Sequence, residues 1–280
     1  MNLNELTEIR DLDRIKCILL DILSYIDDLC EKNNIRYSIA YGTLIGAIRH
    51  HGFIPWDDDI DIYMPREDFK RFISVINAQS SRYRLFSLET DPNYDSTIAK
   101  VVDTNTLLVQ KKAGSQFDSN GNSKYNLGLY VDIFVLDFIP EEINKAKKVV
   151  RRATYLQKLW AFCFFAPNNK HGKITNLLRE RINKTSFAAY YAKKTNQYAC
   201  NLDVKKSKTI ANLLNVGPNC LKDTFQIEEF DTCITVQFEK KNFRAISNYD
   251  KVLKSWYGDY MTLPPENERI SNHLYNVYEI

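Results

Sequence analysis

Apolar side chains recur along the start of the chain at helical spacing. Leu12, Ile15, Leu19, Ile22, Ile26 and Leu29 fall three or four residues apart with charged residues between them, which predicts a helix over 11–33 with one buried stripe. Asn33-Asn34 closes it, and the alternation from Ile35 to Tyr41 predicts a strand. Thr43 offers an N-cap for a short helix through Arg49. Ile60 to Met64 alternates again as a strand. Pro65 then stands at a helix start, with Glu67 and Asp68 in the first turn and Phe69, Phe72, Ile73 and Ile76 as the inward stripe. Further strands are expected at 83–88, 97–102 and 106–110, then a polar loop from Gly114 to Lys124 and a buried strand from Gly128 to Leu136. The chain next reads as helical to about Leu214, and the last third mixes short elements. Strands first and helices after predict an α+β fold. The expected division is a catalytic core over 1–140, a mainly helical basic region over 141–215, and a segment over 216–280 that packs back on the core.

Composition narrows the picture. The 280 residues suffice for one large domain or two small ones, and 44% apolar with 26% charged residues excludes a disordered chain. The longest apolar run, Leu159 to Ala166, has eight residues, whereas a spanning helix needs roughly 20. Met1 to Glu5 lacks the basic start and apolar stretch of a secretory signal, so a cytoplasmic protein is expected. Six scattered cysteines without a CxxC read as reduced thiols, and no histidine pairs with them at zinc-site spacing.

The formal charge of +3 hides an asymmetry: between Lys145 and Lys208 stand 16 Lys/Arg against only Glu180 and Asp203, while the remainder holds 22 basic and 33 acidic residues. The near-balance overall excludes a uniformly basic nucleic-acid binder. The basic block supports three readings. It could be a membrane-surface element with Trp160, Phe162, Phe164 and Phe165 at the interface, at the inner face of the cell membrane. It could be an electrostatic funnel for an anionic acceptor, or an ordinary buried helix face with solvated lysines.

The chemistry concentrates in Pro55-Trp-Asp-Asp-Asp-Ile-Asp61. On a strand, Asp59 and Asp61 point to one face while Ile60 and Ile62 enter the core. Crowded carboxylates repel unless a cation lies between them, and hard oxygen ligands suit Mg²⁺ (or Mn²⁺). Asp132, alone among apolar residues in Tyr130-Val-Asp-Ile-Phe134, is a third acid in need of a partner. Asp57 shares the parity of Asp59. Gly42-Thr43, opening a helix after a strand, fits a phosphate cradle. Arg49 could hold phosphate oxygens or pair with the acids, and Lys100, between Ala99 and Val101, is oddly placed for a lysine without a partner. A turn of this kind before a strand with two acids, and a third acid on a neighbouring strand, resembles the nucleotidyltransferase layout, here with Thr for Gly/Ser and a spacer of 15 residues from 44 to 58.

The longer stretch Gly42-Thr-Leu-Ile-Gly-Ala-Ile-Arg-His-His-Gly-Phe-Ile-Pro-Trp-Asp-Asp-Asp-Ile-Asp-Ile62 resembles the hallmark of the LicD family of phosphotransferases, related to fukutin and fukutin-related protein. Ala99-Lys-Val101, Val131-Asp-Ile-Phe134 and Tyr257-Gly-Asp-Tyr-Met-Thr-Leu-Pro-Pro265 match as well. Asn272-His273 stands where the family often has paired histidines. The resemblance implies a nucleotidyltransferase-like core with a mixed sheet. It also implies metal-dependent transfer of phosphocholine from CDP-choline to a sugar hydroxyl of a lipid-linked cell-surface glycan precursor (teichoic acid, lipopolysaccharide or capsule). Asp59, Asp61 and Asp132 would hold the metal, with Asp132 as ligand or general base. Gly42, Thr43, Arg49 and Lys100 would meet the diphosphate, and Trp56, Tyr63 and Tyr130 could cage the choline. The alternatives are glycerol, ribitol or ethanolamine phosphate as the carried group, or nucleotidyl transfer by the same acids. No nucleic-acid partner is expected.

Overall fold

The apolar stripe of residues 12–29 becomes the spine of the core. The computed structural model describes residues 5–110, 127–165, 172–182, 186–204, 207–215, 222–270 and 275–280. The polar loop Gly114–Lys124 and the Asn272-His273 pair lie outside them. Strand β1 (Thr7–Ile9) leads into α1 (Leu12–Lys32), where the Asp11 carboxylate caps the Asp13 amide and Ile15, Leu19, Ile22 and Ile26 are buried. Then come β2 (Ser38–Ile39), α2 (Tyr41–Ile45) running into a wider π-type turn (Gly46–His50), β3 (Asp61–Pro65), α3 (Arg66–Asn77), β4 (Tyr83–Phe86), β5 (Ala99–Asp103), β6 (Thr106–Gln110) and β7 (Tyr130–Phe138). Three helices follow, α4 (Ile143–Phe164), α5 (Lys173–Ile182) and α6 (Phe187–Cys200). The chain closes with β8 (Thr209–Asn212), β9 (Thr224–Gln226), β10 (Ile234–Phe238), β11 (Lys241–Ala245), α7 (Tyr249–Tyr257) and β12 (Tyr275–Glu279).

Among the described residues the main sheet runs β2-β3-β7-β5-β4, with β8 and β9 attached beside β7. Only β3 and β7 pair in parallel in that sheet; the other pairings are antiparallel. This mixed sheet with flanking helices is an α+β architecture, as expected. Strand β7 is its centre, because β5 covers Tyr130 to Ile133 on one edge and β8 takes over at Leu136 to Phe138. That shared edge explains one departure from the sequence reading. Residues 209–212 lie inside the run expected to be helical, yet they form a strand, since the far half of β7 would otherwise leave its amides and carbonyls unpaired.

Two further expectations shift. The strand Ile35–Tyr41 contracts to a ladder at Ser38–Ile39, because Tyr41 turns to φ 43° and starts a helix. Thr43 is not the cap of that helix; Ala40 occupies the N-cap without a side-chain bond. In the basic region, Trp160 is an inside residue. It stacks on Phe164 with centroids 4.6 Å apart and donates its indole N–H to the Asp95 carbonyl at 2.6 Å. Burial of this anchor removes it from any interfacial role and fixes the end of α4 against the loop that leads into β5.

Candidate active site

Strand register brings the acids together. Parallel pairing of β3 with β7 places Asp61 opposite Asp132, and antiparallel pairing of β5 with β7 places Lys100 opposite the same Asp132. Residues in register on neighbouring strands project to one face, so the three side chains form a row across the sheet. Upstream of β3 the alternation continues: Asp57, Asp59 and Asp61 keep solvent access while Asp58 and Ile60 are buried. Ile62 is buried too, as the sequence predicts.

The backbone around the row is pinned. The Asp61 amide donates to Thr43 Oγ1 at 2.9 Å, and the Ala40 amide donates to the Asp61 carbonyl at 2.9 Å. The Asp132 amide donates to the Ile60 carbonyl at 2.9 Å, and the Tyr275 hydroxyl to the Asp58 carbonyl at 3.0 Å. The buried Thr43 hydroxyl is thus committed to positioning Asp61. Gly42 has a steric role: a Cβ there would lie 2.7 Å from Asp57 Oδ2, so a larger residue would displace that carboxylate.

Charge in the row is poorly balanced. Asp61 is pushed well above the usual carboxylate range, first by burial, then by the charges of Asp59, Asp132 and Asp57, with Lys100 pulling the other way. It is surrounded by protein yet keeps some solvent access. Lys100 is 5% exposed. Its Nζ bonds Asp132 Oδ1 and lies 3.5 Å from the Tyr130 ring centroid. Burial pulls its ammonium down, but Asp132 with the Tyr130 and Tyr94 hydroxyls outweighs that and raises it, so it stays charged. Among the described residues no three His, Cys, Asp or Glu side chains already stand at metal-ligand spacing. The donor set nevertheless fits a hard divalent cation in kind: crowded carboxylates are what such an ion stabilises.

A second, unforeseen cluster lies beside the acids. Buried Asp223 accepts from Tyr41 Oη, from Tyr63 Oη at 2.8 Å and from Trp256 Nε1 at 2.7 Å, while Asn212 Nδ2 reaches Tyr41 Oη at 3.3 Å. This network holds Tyr41 in a left-handed conformation that a bulky residue adopts only when its surroundings dictate it. It also brings the end of α7 to the acids: burial, then the charges of Asp61, Asp223, Asp57 and Asp59, push the Tyr257 hydroxyl up. Tyr257 could be found from its motif; Asp223, in an unremarkable Lys-Asp-Thr stretch, gave no signal.

The aromatic cage is corrected. Tyr63 is fully buried and spent on Asp223, and the Tyr130 ring already carries Lys100. Trp56 is half-exposed, with His50 edge-on at 6.4 Å and the Arg269 guanidinium 5.8 Å above its ring, a looser cation contact than the 3.5 Å of Lys100 over Tyr130. Arg49 forms no ion pair with the acids among the described residues. It donates to the Tyr260 carbonyl at 2.7 Å and to His50 Nε2 at 2.9 Å, and burial together with the nearby Arg269 charge lowers its guanidinium.

Similarity to known proteins gives the family. The family described as LicD/FKTN/FKRP, nucleotidyltransferase domain, matches residues 34–164. Over 274 residues, 93% of this chain and 95% of the relative, the sequence is 30% identical to the lipopolysaccharide cholinephosphotransferase LicD of Haemophilus influenzae. Shorter likenesses reach an uncharacterized protein of Rickettsia typhi, 45% identical over 58 residues (21% of this chain, 19% of the relative). Another, of Rickettsia prowazekii, is 50% identical over 50 residues (18% and 19%). The chain belongs to the LicD family of phosphotransferases.

Proposed function

We propose that this protein transfers phosphocholine from CDP-choline to a sugar hydroxyl of a cell-surface glycan precursor, using a nucleotidyltransferase-type core and Mg²⁺ or Mn²⁺. The reading rests on the in-register row of Asp61, Asp132 and Lys100, together with a relative named for lipopolysaccharide cholinephosphate transfer. Asp59 and Asp61 are the residues assigned to hold the cation, with Asp57 beside them. When bound, the cation neutralises the diphosphate and the charge that develops as CMP departs. Lys100 keeps Asp132 paired through Oδ1. Asp132 Oδ2, which makes no hydrogen bond among the described residues, is assigned to accept the proton of the attacking sugar hydroxyl. Among the described residues Arg49 Nη2 makes no hydrogen bond, and with Arg269, which lies over Trp56, it is assigned to offer guanidinium donors to phosphate oxygens. Half-exposed Trp56 is the aromatic face assigned to the choline.

The test is CMP release from CDP-choline in the presence of lipopolysaccharide-type acceptor glycan. Release that needs Mg²⁺ or Mn²⁺ and disappears in Asp61→Asn supports the reading. Preferential turnover of CDP-glycerol, CDP-ribitol or CDP-ethanolamine would reassign the carried group, and turnover of CTP or ATP instead would make the enzyme a nucleotidyltransferase.

A further inference from the structure

Helix α5 exposes a stripe that its neighbours do not cover. Ile174 is 86% exposed, Leu177 55% and Leu178 50%, and the i, i+3, i+4 spacing puts them on one helix face. Exposed Arg181 falls on that same face, at four residues from Leu177 and three from Leu178. Buried Arg179 points the other way: its guanidinium donates to the carbonyls of Phe162 at 3.3 Å and Ala161 at 3.4 Å and lies 5.0 Å from the Phe162 ring. This contact seats α5 on the C-terminal turn of α4 and leaves the aliphatic stripe outward.

The adjoining helices repeat the composition. On α4, exposed Tyr155 has Arg151, Arg152 and Lys158 three or four residues away, all exposed. On α6, exposed Tyr190 has Lys193 and Lys194 in the same relation, with Lys194 Nζ 5.5 Å over its ring. An exposed aliphatic stripe with Arg181 on its face, within a three-helix region whose other exposed aromatic residues stand among lysines and arginines, matches one kind of partner in charge and polarity. That partner is an anionic lipid surface, where apolar side chains enter the interface and cations meet headgroup phosphates. A second copy of the chain fits poorly, because residues 145–208 carry 16 Lys/Arg against two acids and would repel their own kind. No described helix is long and apolar enough to cross a membrane, so the contact lies along the surface.

We propose that the outer face of α5, formed by Ile174, Leu177, Leu178 and Arg181, docks this protein onto an anionic bilayer with α4 and α6 as basic flanks. The docking stands apart from the proposed reaction. Its consequence for that reaction follows from Trp160, which ties the end of α4 to Asp95 in the loop entering β5, the strand of Lys100. A docked α5 thus holds the acid row close to an acceptor carried on lipid.

The experiment is co-sedimentation of the full chain with vesicles of phosphatidylcholine alone and with 30% phosphatidylglycerol, at low and high salt. Binding to the anionic vesicles that salt weakens, and that Leu177→Asn/Leu178→Asn reduces about tenfold or more, supports the proposal. The substituted side chains are exposed, so the variant's melting temperature should match the wild type. Absence of binding, equal binding to both vesicle types, or an unaffected variant overturns it. So does a lipid-free dimer that the double variant converts to monomer, which would assign the face to a second copy.

Discussion

The parallel strand pair β3–β7 carries charge at both ends, and the ends are treated in opposite ways. At the far end Arg66 is buried and fully answered: Nε meets Asp137 Oδ1 at 2.7 Å, Nη2 meets Asp137 Oδ2 at 2.8 Å, and Nη1 meets Glu89 at 2.6 Å. Asn196 of α6 completes the set on Glu89 at 2.9 Å. Burial pulls the Arg66 guanidinium down, yet Asp137 and Glu89 outweigh it and raise it. At the near end Asp132 is paired with Lys100, while burial and the charges of Asp59, Asp132 and Asp57 drive Asp61 toward protonation. The two aspartates of β7 lie at positions of opposite parity, so they belong to different faces of the sheet. A buried pair whose hydrogen bonds are all met is architecture. Crowded acids on a pinned backbone, with Asp61 pushed up by burial and by its neighbours' charges, are where the proposed cation would bind.

The comparison can be broken at either end. The largest effect is expected from Asp59→Asn or Asp61→Asn: phosphocholine transfer should fall by about a thousandfold or more, measured as CMP release. The chelator-treated variants should melt no lower than the wild type, since one of the crowded charges is gone. At the other end Arg66→Met should do the reverse, leaving Asp137 buried without its partner at a cost of about 3–5 kcal/mol in urea unfolding. Protein that stays folded in that variant should retain transfer activity per mole.

Smaller effects sharpen the middle of the site. Lys100→Met should lower transfer by about a hundredfold, with the loss in kcat rather than in stability alone, because Asp132 then lacks the cation that holds it. Asp223→Asn keeps the shape but supplies one acceptor oxygen where three donors converge, costing about 1–3 kcal/mol. Burial raises the Asp223 carboxyl despite the bonds from Tyr41, Tyr63 and Trp256 that lower it. A carboxyl raised in the folded state contributes most below its ordinary value and loses that contribution as pH climbs through the raised one. The stability gap between wild type and Asp223→Asn should therefore narrow as pH rises above the ordinary carboxylate range, read from urea midpoints; a widening gap would contradict the sign.

Much of this was legible along the chain because it depends on local pattern. The alternation that turns Asp57, Asp59 and Asp61 outward while Asp58, Ile60 and Ile62 go inward is written in consecutive residues, and so is the start of α3 at Pro65. Lys100 stood out for its apolar neighbours, and the structure supplies its partner. What sequence could not give is register: Asp61 faces Asp132 only because two strands 71 positions apart pair in one particular alignment. The bond from Tyr41 to Asp223 spans 182 positions and left no local trace. Thr43 read as a cap because caps are the usual work of such residues, whereas its hydroxyl is taken by the Asp61 amide. The basic block left three readings open; buried Trp160 agrees with an ordinary buried helix face there, while the outward apolar stripe belongs to α5, where the pattern is shorter.

The central claim is that the acid row is completed by a divalent cation. The most direct measurement is the melting temperature of chelator-treated protein on adding Mg²⁺ or Mn²⁺ with CDP-choline, for wild type and Asp61→Asn side by side. A rise of several degrees in the wild type that is absent in the variant is the predicted result. Equal shifts in both proteins, or no shift in either, would contradict it.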